Sequence, residues 1–286
     1  MDVDDEQNGD GHAYPSPEQL PSPVVATIGP AVGTQVDKVS ELTAETTFLD
    51  LTDDSSTTTV LLQCEFSPRD PQVLAAVGTD ALARKWTFSR TATDLDPQTG
   101  RLTPHHDNLL DDGVSSNTTA TGLSWSSDGA LVAVASEPMD SEQARVEVWT
   151  AEGNSLATFE AFESPVICLR WNLSNTLLLA ISPEQSSPQI SGCIITVMFP
   201  PRQELVQFSL PQHSLMEQPL DVAWTSNEEF VICGGDTLQT FQFVDGVISP
   251  ARKYETRDGH ALSKITYDWR SGLLATASDT GIIDVS

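Results

Sequence analysis

Val73-Leu74-Ala75-Ala76-Val77-Gly78-Thr79-Asp80, followed by Leu82-Ala83-Arg84-Lys85-Trp86, is the stretch that decides the fold. It reads as two short β-prone runs joined by a small-residue turn, the second ending in an aromatic. Just before it, Leu61-Leu62-Gln63-Cys64-Glu65-Phe66 also ends in an aromatic and leads into the polar turn Ser67-Pro68-Arg69-Asp70. The same unit returns as Thr121-Gly122-Leu123-Ser124-Trp125, Leu131-Val132-Ala133-Val134-Ala135-Ser136 and Arg145-Val146-Glu147-Val148-Trp149. A third copy runs through Val166-Ile167-Cys168-Leu169-Arg170-Trp171, Leu177-Leu178-Leu179-Ala180-Ile181-Ser182 and Cys193-Ile194-Ile195-Thr196-Val197. A fourth comprises Leu220-Asp221-Val222-Ala223-Trp224, Phe230-Val231-Ile232-Cys233-Gly234-Gly235-Asp236 and Leu238-Gln239-Thr240-Phe241. The fifth is Ile265-Thr266-Tyr267-Asp268-Trp269, Leu273-Leu274-Ala275-Thr276-Ala277-Ser278 and Ile282-Ile283-Asp284-Val285. Helical periodicity is nearly absent from about residue 60 onward.

The anchoring aromatics Phe66, Trp125, Trp171, Trp224 and Tyr267 stand 59, 46, 53 and 43 residues apart. A four-stranded propeller blade needs about 40–45 residues. The longer intervals carry polar insertions at 91–119, 183–191 and 200–218, which read as surface loops. The pattern predicts an all-β propeller with about five recognisable blades, starting near residues 60, 120, 165, 219 and 262. Each small sheet is apolar on both faces and must be sandwiched between neighbours, so the aromatics are inter-blade filler first. Register is ambiguous in the fifth copy: Tyr267 is better spaced to Leu273, Trp269 to His260.

Residues 1–44, rich in Asp, Glu, Gly, Ser and Pro, read as a disordered acidic leader, and 45–286 as the propeller. Ser16-Pro17 and Ser22-Pro23 fit either a solvated linker or proline-directed phosphorylation. Thr46-Thr47-Phe48-Leu49-Asp50-Leu51 has the texture of a first strand.

The 286 residues hold 41 Asp and Glu against 14 Lys and Arg, a formal net charge of −27. The first 60 residues carry 12 acidic groups and one basic group, Lys38, so more than half of the excess lies in the repeats. A direct grip on nucleic acid needs clustered Lys and Arg and is nearly excluded. Docking on anionic lipid is disfavoured for the same reason, and basic partners are favoured. No apolar stretch is long enough for a transmembrane helix, and the acidic start Met1-Asp2-Val3-Asp4-Asp5-Glu6 is unlike a signal or transit peptide. Cys64, Cys168, Cys193 and Cys233 are widely spaced in apolar runs and read as reduced core thiols, not as a zinc site.

The copies resemble WD repeats. That family's blade closes on a strand ending Trp-Asp, often after a Ser/Thr-x-Asp turn, and begins near Gly-His. Gly78-Thr79-Asp80 before Lys85-Trp86 fits well. Gly234-Gly235-Asp236 is kept in the fourth copy with Phe241 in place of Trp. Gly259-His260 is kept in the fifth, with Thr280 where the turn Asp belongs. The resemblance implies a buried polar network built from Asp80, Trp86, Trp149, Asp236 and His260. No copy has both the Gly-His and the turn Asp, so each blade's network is incomplete, which predicts reduced stability.

Thr121-Gly122-Leu123-Ser124-Trp125-Ser126-Ser127-Asp128-Gly129, the hairpin Glu152-Gly153-Asn154-Ser155-Leu156 and the opening Leu220-Asp221-Val222-Ala223-Trp224-Thr225-Ser226-Asn227 narrow the likeness. Over roughly residues 58–286 the chain is similar to the transducin beta-like corepressor family. That resemblance implies a nuclear subunit of a histone deacetylase corepressor complex, a platform for repressors, deacetylase subunits and hypoacetylated histone tails. Members usually carry an N-terminal LisH helical pair, and residues 1–57 contain no amphipathic helix to supply it. They also have about seven or eight blades, so the chain reads as truncated, with two apolar blade faces open. The competing expectation is a five-blade ring in which strand 46–51 serves as the outer strand of the fifth copy.

Catalysis has little support. His12, His105, His106, His213 and His260 lie in no metal or triad pattern, and no Walker, G-x-S-x-G or dinucleotide loop is present. A solvated loop is the natural reading of His105-His106. Pairs such as Asp53-Asp54, Asp111-Asp112 and Glu228-Glu229 sit in turns, where no pocket shifts their pKa values. No cofactor and no metal are expected. What remains is binding, with acidic groups at the funnel attracting a Lys/Arg-rich tail. Asp221, on an inner strand, is the candidate peptide-binding residue, set against a purely local role in satisfying a backbone donor. A ubiquitin-ligase substrate adaptor is the alternative function, since the same platform serves it. Fold alone does not name the partner.

Overall fold

The computed structural model describes residue 51 and residues 59–88, 105–111, 113–137, 143–187, 190–211, 215, 219–256 and 259–286. The predicted leader, with Ser16-Pro17 and Ser22-Pro23, and positions 46–50 of the expected first strand lie outside them.

Among the described residues, nineteen strands form five antiparallel sheets. Blade 1 consists of β1 (Leu61–Phe66), β2 (Val73–Gly78), β3 (Ala83–Thr87) and β4 (His105–Asn108). Blade 2 has β5 (Thr119–Trp125), β6 (Leu131–Glu137), β7 (Ala144–Thr150) and β8 (Ser155–Phe162). Blade 3 has β9 (Cys168–Trp171), β10 (Leu178–Ser187), β11 (Ile190–Phe199) and β12 (Glu204–Pro211). Blade 4 has β13 (Asp221–Trp224), β14 (Glu229–Gly234), β15 (Thr237–Val244) and β16 (Val247–Lys253). Blade 5 has three strands among the described residues: β17 (Leu262–Asp268), β18 (Leu273–Ser278) and β19 (Ile283–Val285). Within each sheet the strands pair in chain order, so every connection is a hairpin. This is a five-bladed all-β propeller architecture.

Strand alternation sends successive residues to opposite blade faces, and both faces are buried where a neighbour stands on each side. In blade 2, Leu123, Val132, Val134 and Trp149 pack toward Ala75, Val77 and Ala83 of blade 1. The intervening Ala133, Ala135, Val146 and Val148 pack toward Leu169, Leu178 and Ala180 of blade 3. Blade 3 offers Leu179, Ile181, Ile195 and Val197 to Val222, Phe230, Ile232 and Phe241 of blade 4. Ala223, Val231 and Cys233 then meet Leu262 and Ile265 of blade 5. The remaining cluster joins Ala76, Leu82 and Trp86 of blade 1 with Leu51 and Phe88. Leu51, the described end of the expected first strand, thus packs on blade 1.

Several segments read as loops in the sequence are outer strands. His105 and His106 pair with Thr87 and Trp86 as the edge of blade 1, and Leu109 and Leu110 just beyond are buried. The 200–218 insertion contains β12, paired with β11 from Phe199↔Glu204 to Gly192↔Pro211. The 183–191 insertion continues the β10–β11 hairpin. Tight turns close the hairpins where the sequence places small or polar residues. Gly129 has φ +66, and a Cβ there would meet the Arg69 backbone nitrogen at 2.9 Å, so glycine is required both by conformation and by close approach.

Candidate interaction surface

The first strand of each sheet is the inner strand, and these strands are tied to one another by a repeated hydrogen bond. Trp125 Nε1 donates to the Glu65 carbonyl at 3.3 Å. Trp171 Nε1 donates to the Ser124 carbonyl at 3.1 Å, and Trp224 Nε1 to the Arg170 carbonyl at 3.1 Å. Each acceptor precedes the anchoring aromatic of the previous blade by one residue. The indoles are nearly fully buried, so an unmade bond would cost desolvation without return. In blade 5 the corresponding position is Tyr267, which packs against the blade 4–blade 5 cluster. Trp269 is 64% exposed, so Tyr267 holds the anchor register.

Polar side chains on these inner strands add further ties. Gln63 mimics a strand neighbour: its Nε2 donates to the Leu123 carbonyl at 2.9 Å, and its Oε1 accepts from the Leu123 amide at 3.0 Å. Asp221 is 3% exposed. Its Oδ1 accepts from Arg170 Nη2 at 2.9 Å and from the Val222 amide at 3.0 Å. Its Oδ2 accepts from the Ile265 amide at 3.2 Å and faces Lys264 Nζ at 3.9 Å. One carboxylate therefore links blades 3, 4 and 5. Burial pushes the Glu65 carboxyl upward, while its bond to the Trp125 amide and the charge of Arg170 pull it down. The inner strands thus carry alternating charge, from Glu65 to Arg170 to Asp221 to Lys264, in place of the uniformly acidic funnel that net charge suggests. The sequence drew attention to Asp221 but not to Arg170, Lys264 or Gln63. Their signal was a polar residue at mid-strand in an otherwise apolar run.

The residues assigned to the WD-type network lie in four different blades, and no hydrogen bond joins any two of them among the described residues. Asp80 sits in a left-handed turn at φ 58, receiving a hydrogen bond from Thr79 Oγ1 at 3.3 Å. Trp86 is buried in blade 1. Trp149 is buried with its indole N–H unpartnered. Asp236 is exposed. His260 Nδ1 is 2.8 Å from Thr280 Oγ1, which is 2.9 Å from Ser278 Oγ. Thr280 thus supplies the polar link at the position where the family pattern has Asp.

Cys168, Cys193 and Cys233 are buried, whereas Cys64 is exposed on β1. Burial raises the three inner thiols to about 11, about 12 and about 12 respectively. Among the described residues no cluster of three or more His, Cys, Asp or Glu could hold a metal ion. No helix among them is long and apolar enough to cross a membrane.

No family model matches the chain. It is 27% identical over 176 residues to the human F-box-like/WD repeat-containing protein TBL1Y, covering 60% of this chain and 30% of that protein. The mouse F-box-like/WD repeat-containing protein TBL1X is 26% identical over the same length, with 29% of that protein covered. The matched stretch therefore spans under a third of these relatives. Among solved structures, the C-terminal WD40 domain of Sif2 superposes with a TM-score of 0.58 at 20% identity, over 79% of this chain and 58% of that one. The β-propeller domain of Myceliophteria thermophila Cps50 (Swd1) gives 0.57 at 14% identity, over 80% and 70%. Repeats, sheet order and likeness agree: the chain is a WD40-type β-propeller, distantly homologous to the TBL1X and TBL1Y WD-repeat proteins.

Proposed function

We propose that the chain is a non-catalytic protein-interaction scaffold that works in the nucleus as a subunit of a histone deacetylase corepressor complex, holding corepressor and deacetylase subunits and basic histone tails. The observation that carries this reading is the WD40-type propeller together with its distant homology to the TBL1 proteins. Propellers present rigid loops around inner strands, a geometry suited to peptides. The net charge of −27 favours basic ones and disfavours nucleic acid. Asp221 enters as the buried anchor of the inner rim. Lys264, with a side chain 74% exposed and only loosely held at 3.9 Å, is the cation that a partner's Lys or Arg displaces.

A ubiquitin-ligase adaptor is the second reading, favoured by the F-box-like description of the relatives. Affinity purification with mass spectrometry separates the two: deacetylase subunits support the first and cullin subunits the second. At the site itself, Lys264→Ala should strengthen capture of a basic histone-tail peptide and Asp221→Asn should weaken it, with folding followed by circular dichroism. Equal capture by both variants and the parent chain would remove Asp221 from the peptide site.

A further inference from the structure

The junction of blades 1 and 2 contains a buried polar cluster that scaffold function does not use. Arg145, Glu147 and Trp149 alternate along β7 on the face turned to blade 1. Ser136 pairs with Arg145 across β6. Glu147 is fully buried, and neither of its carboxylate oxygens has a hydrogen-bond partner. Arg145 Nη1 lies 3.7 Å from Oε1, an ion pair too long for a hydrogen bond. Arg145 Nε, Ser136 Oγ and Trp149 Nε1 are also buried and unpartnered. A buried carboxylate without donors is costly, and the cost falls on its ionised form.

Leu109-Leu110-Asp111, the start of the connection from β4 to blade 2, covers this junction. Leu109 and Leu110 are buried with Leu123, Val134 and Trp149, and the Leu109 amide donates to the Ala83 carbonyl at 2.8 Å. Asp111 is exposed and brings a second carboxylate to bear on Glu147, while Glu160 on β8 adds a third. Arg145 acts on Glu147 in opposition to them. Val134 and Ser136 on β6 carry no charge. Blade 1 turns Lys85 to this junction, but Lys85 is held by Asp107 at 3.1 Å and by the Ala151 carbonyl.

We propose that Glu147 is a proton-operated latch: when protonated it lets Leu109-Leu110-Asp111 seat against blade 2, and when ionised it drives that segment off. A neutral Glu147 removes the buried charge and the repulsion with Asp111, and its O–H becomes a donor toward that carboxylate. Ionisation restores both penalties, and lifting the segment relieves them by admitting water. Burial first, then the charges of Asp111 and Glu160, opposed by Arg145, raise the Glu147 carboxyl from 4.5 to about 7. The closed form therefore binds the proton more tightly than the open one. Closure is complete at low pH and weakens as pH rises from 4.5 toward about 7, above which it changes no further.

The test is amide hydrogen exchange at Leu109 in the full chain across that pH range, corrected for intrinsic exchange rates. In the parent chain the opening equilibrium should rise about tenfold per pH unit up to the break and level off beyond it. Glu147→Gln should remove the slope. Asp111→Asn, at an exposed position, should move the break to lower pH, and it keeps the test decisive if Glu147→Gln does not fold. A pH-independent Leu109 in the parent chain, or an unchanged slope in Glu147→Gln, would overturn the latch. So would an unmoved break in Asp111→Asn.

Discussion

Two tryptophans that look alike in the sequence do different work. Trp171 donates its indole N–H across to blade 2, whereas Trp149, equally buried, leaves its indole N–H without a partner. Phe keeps most of the apolar volume and removes the donor. Trp171→Phe should therefore lose about 1 kcal/mol for the hydrogen bond, while the Ser124 carbonyl keeps its ladder partner Ala133 on β6. Trp149→Phe should cost less, because the parent already carries an unpaid donor. Chemical denaturation of both variants checks the order, and a larger loss at Trp149 would contradict it. The anchors Trp125, Trp171 and Trp224 were legible because aromatics recur at blade spacing. The bridging of three blades by Asp221 was not, because its partners Arg170 and Lys264 lie 51 and 43 positions away and meet it only once blades stand side by side.

Legibility at the level of elements follows burial. Inner and middle strands announce themselves because both of their faces are packed, giving near-continuous runs such as Leu131–Ser136. Outer strands do not: β4 is His-His-Asp-Asn, and β12 alternates exposed Glu204, Gln207 and Ser209 with half-buried Leu205, Phe208 and Leu210. They are strands because a neighbour's backbone offers a ladder, not because their own side chains demand one. The same distinction separates β1 from its counterparts. Its apolar sequence reads as core, yet Leu61, Leu62 and Phe66 are exposed because no blade covers that face among the described residues. Cys64 shares that strand, so a maleimide should label one thiol per native molecule, at Cys64. Cys168, Cys193 and Cys233 should label only on unfolding, since burial both blocks access and disfavours the thiolate. Mass spectrometry after labelling reads this directly, and native labelling at Cys233 would show that the blade 4–blade 5 junction opens.

At the scale of the molecule, stability should follow the number of neighbours each blade has. Blades 2, 3 and 4 are packed on both faces, while the described contacts of blades 1 and 5 place a neighbouring blade on one face each. In an array whose units contact only their neighbours, stability is a sum of unit and interface terms, and a unit lacking one interface lacks that term. Among the described residues blade 5 has the fewest ties: three strands, a Tyr in place of the indole tie, and Trp269, Ile283 and Val285 at 64, 68 and 60% exposure. Blade 1 retains its tie to blade 2 through Gln63 and Glu65 and gains Leu51 against Trp86. Native-state amide exchange should therefore show protection highest in the middle strands of blades 2 to 4, lower in blade 1 and lowest in β17 to β19. A cooperative ring closed between blades 5 and 1 gives the opposite result, one uniform protection level for all five middle strands. Leu274 on β18, whose amide donates to the Ser286 carbonyl, and Ile232, in the centre of blade 4, are the two amides whose comparison decides between them.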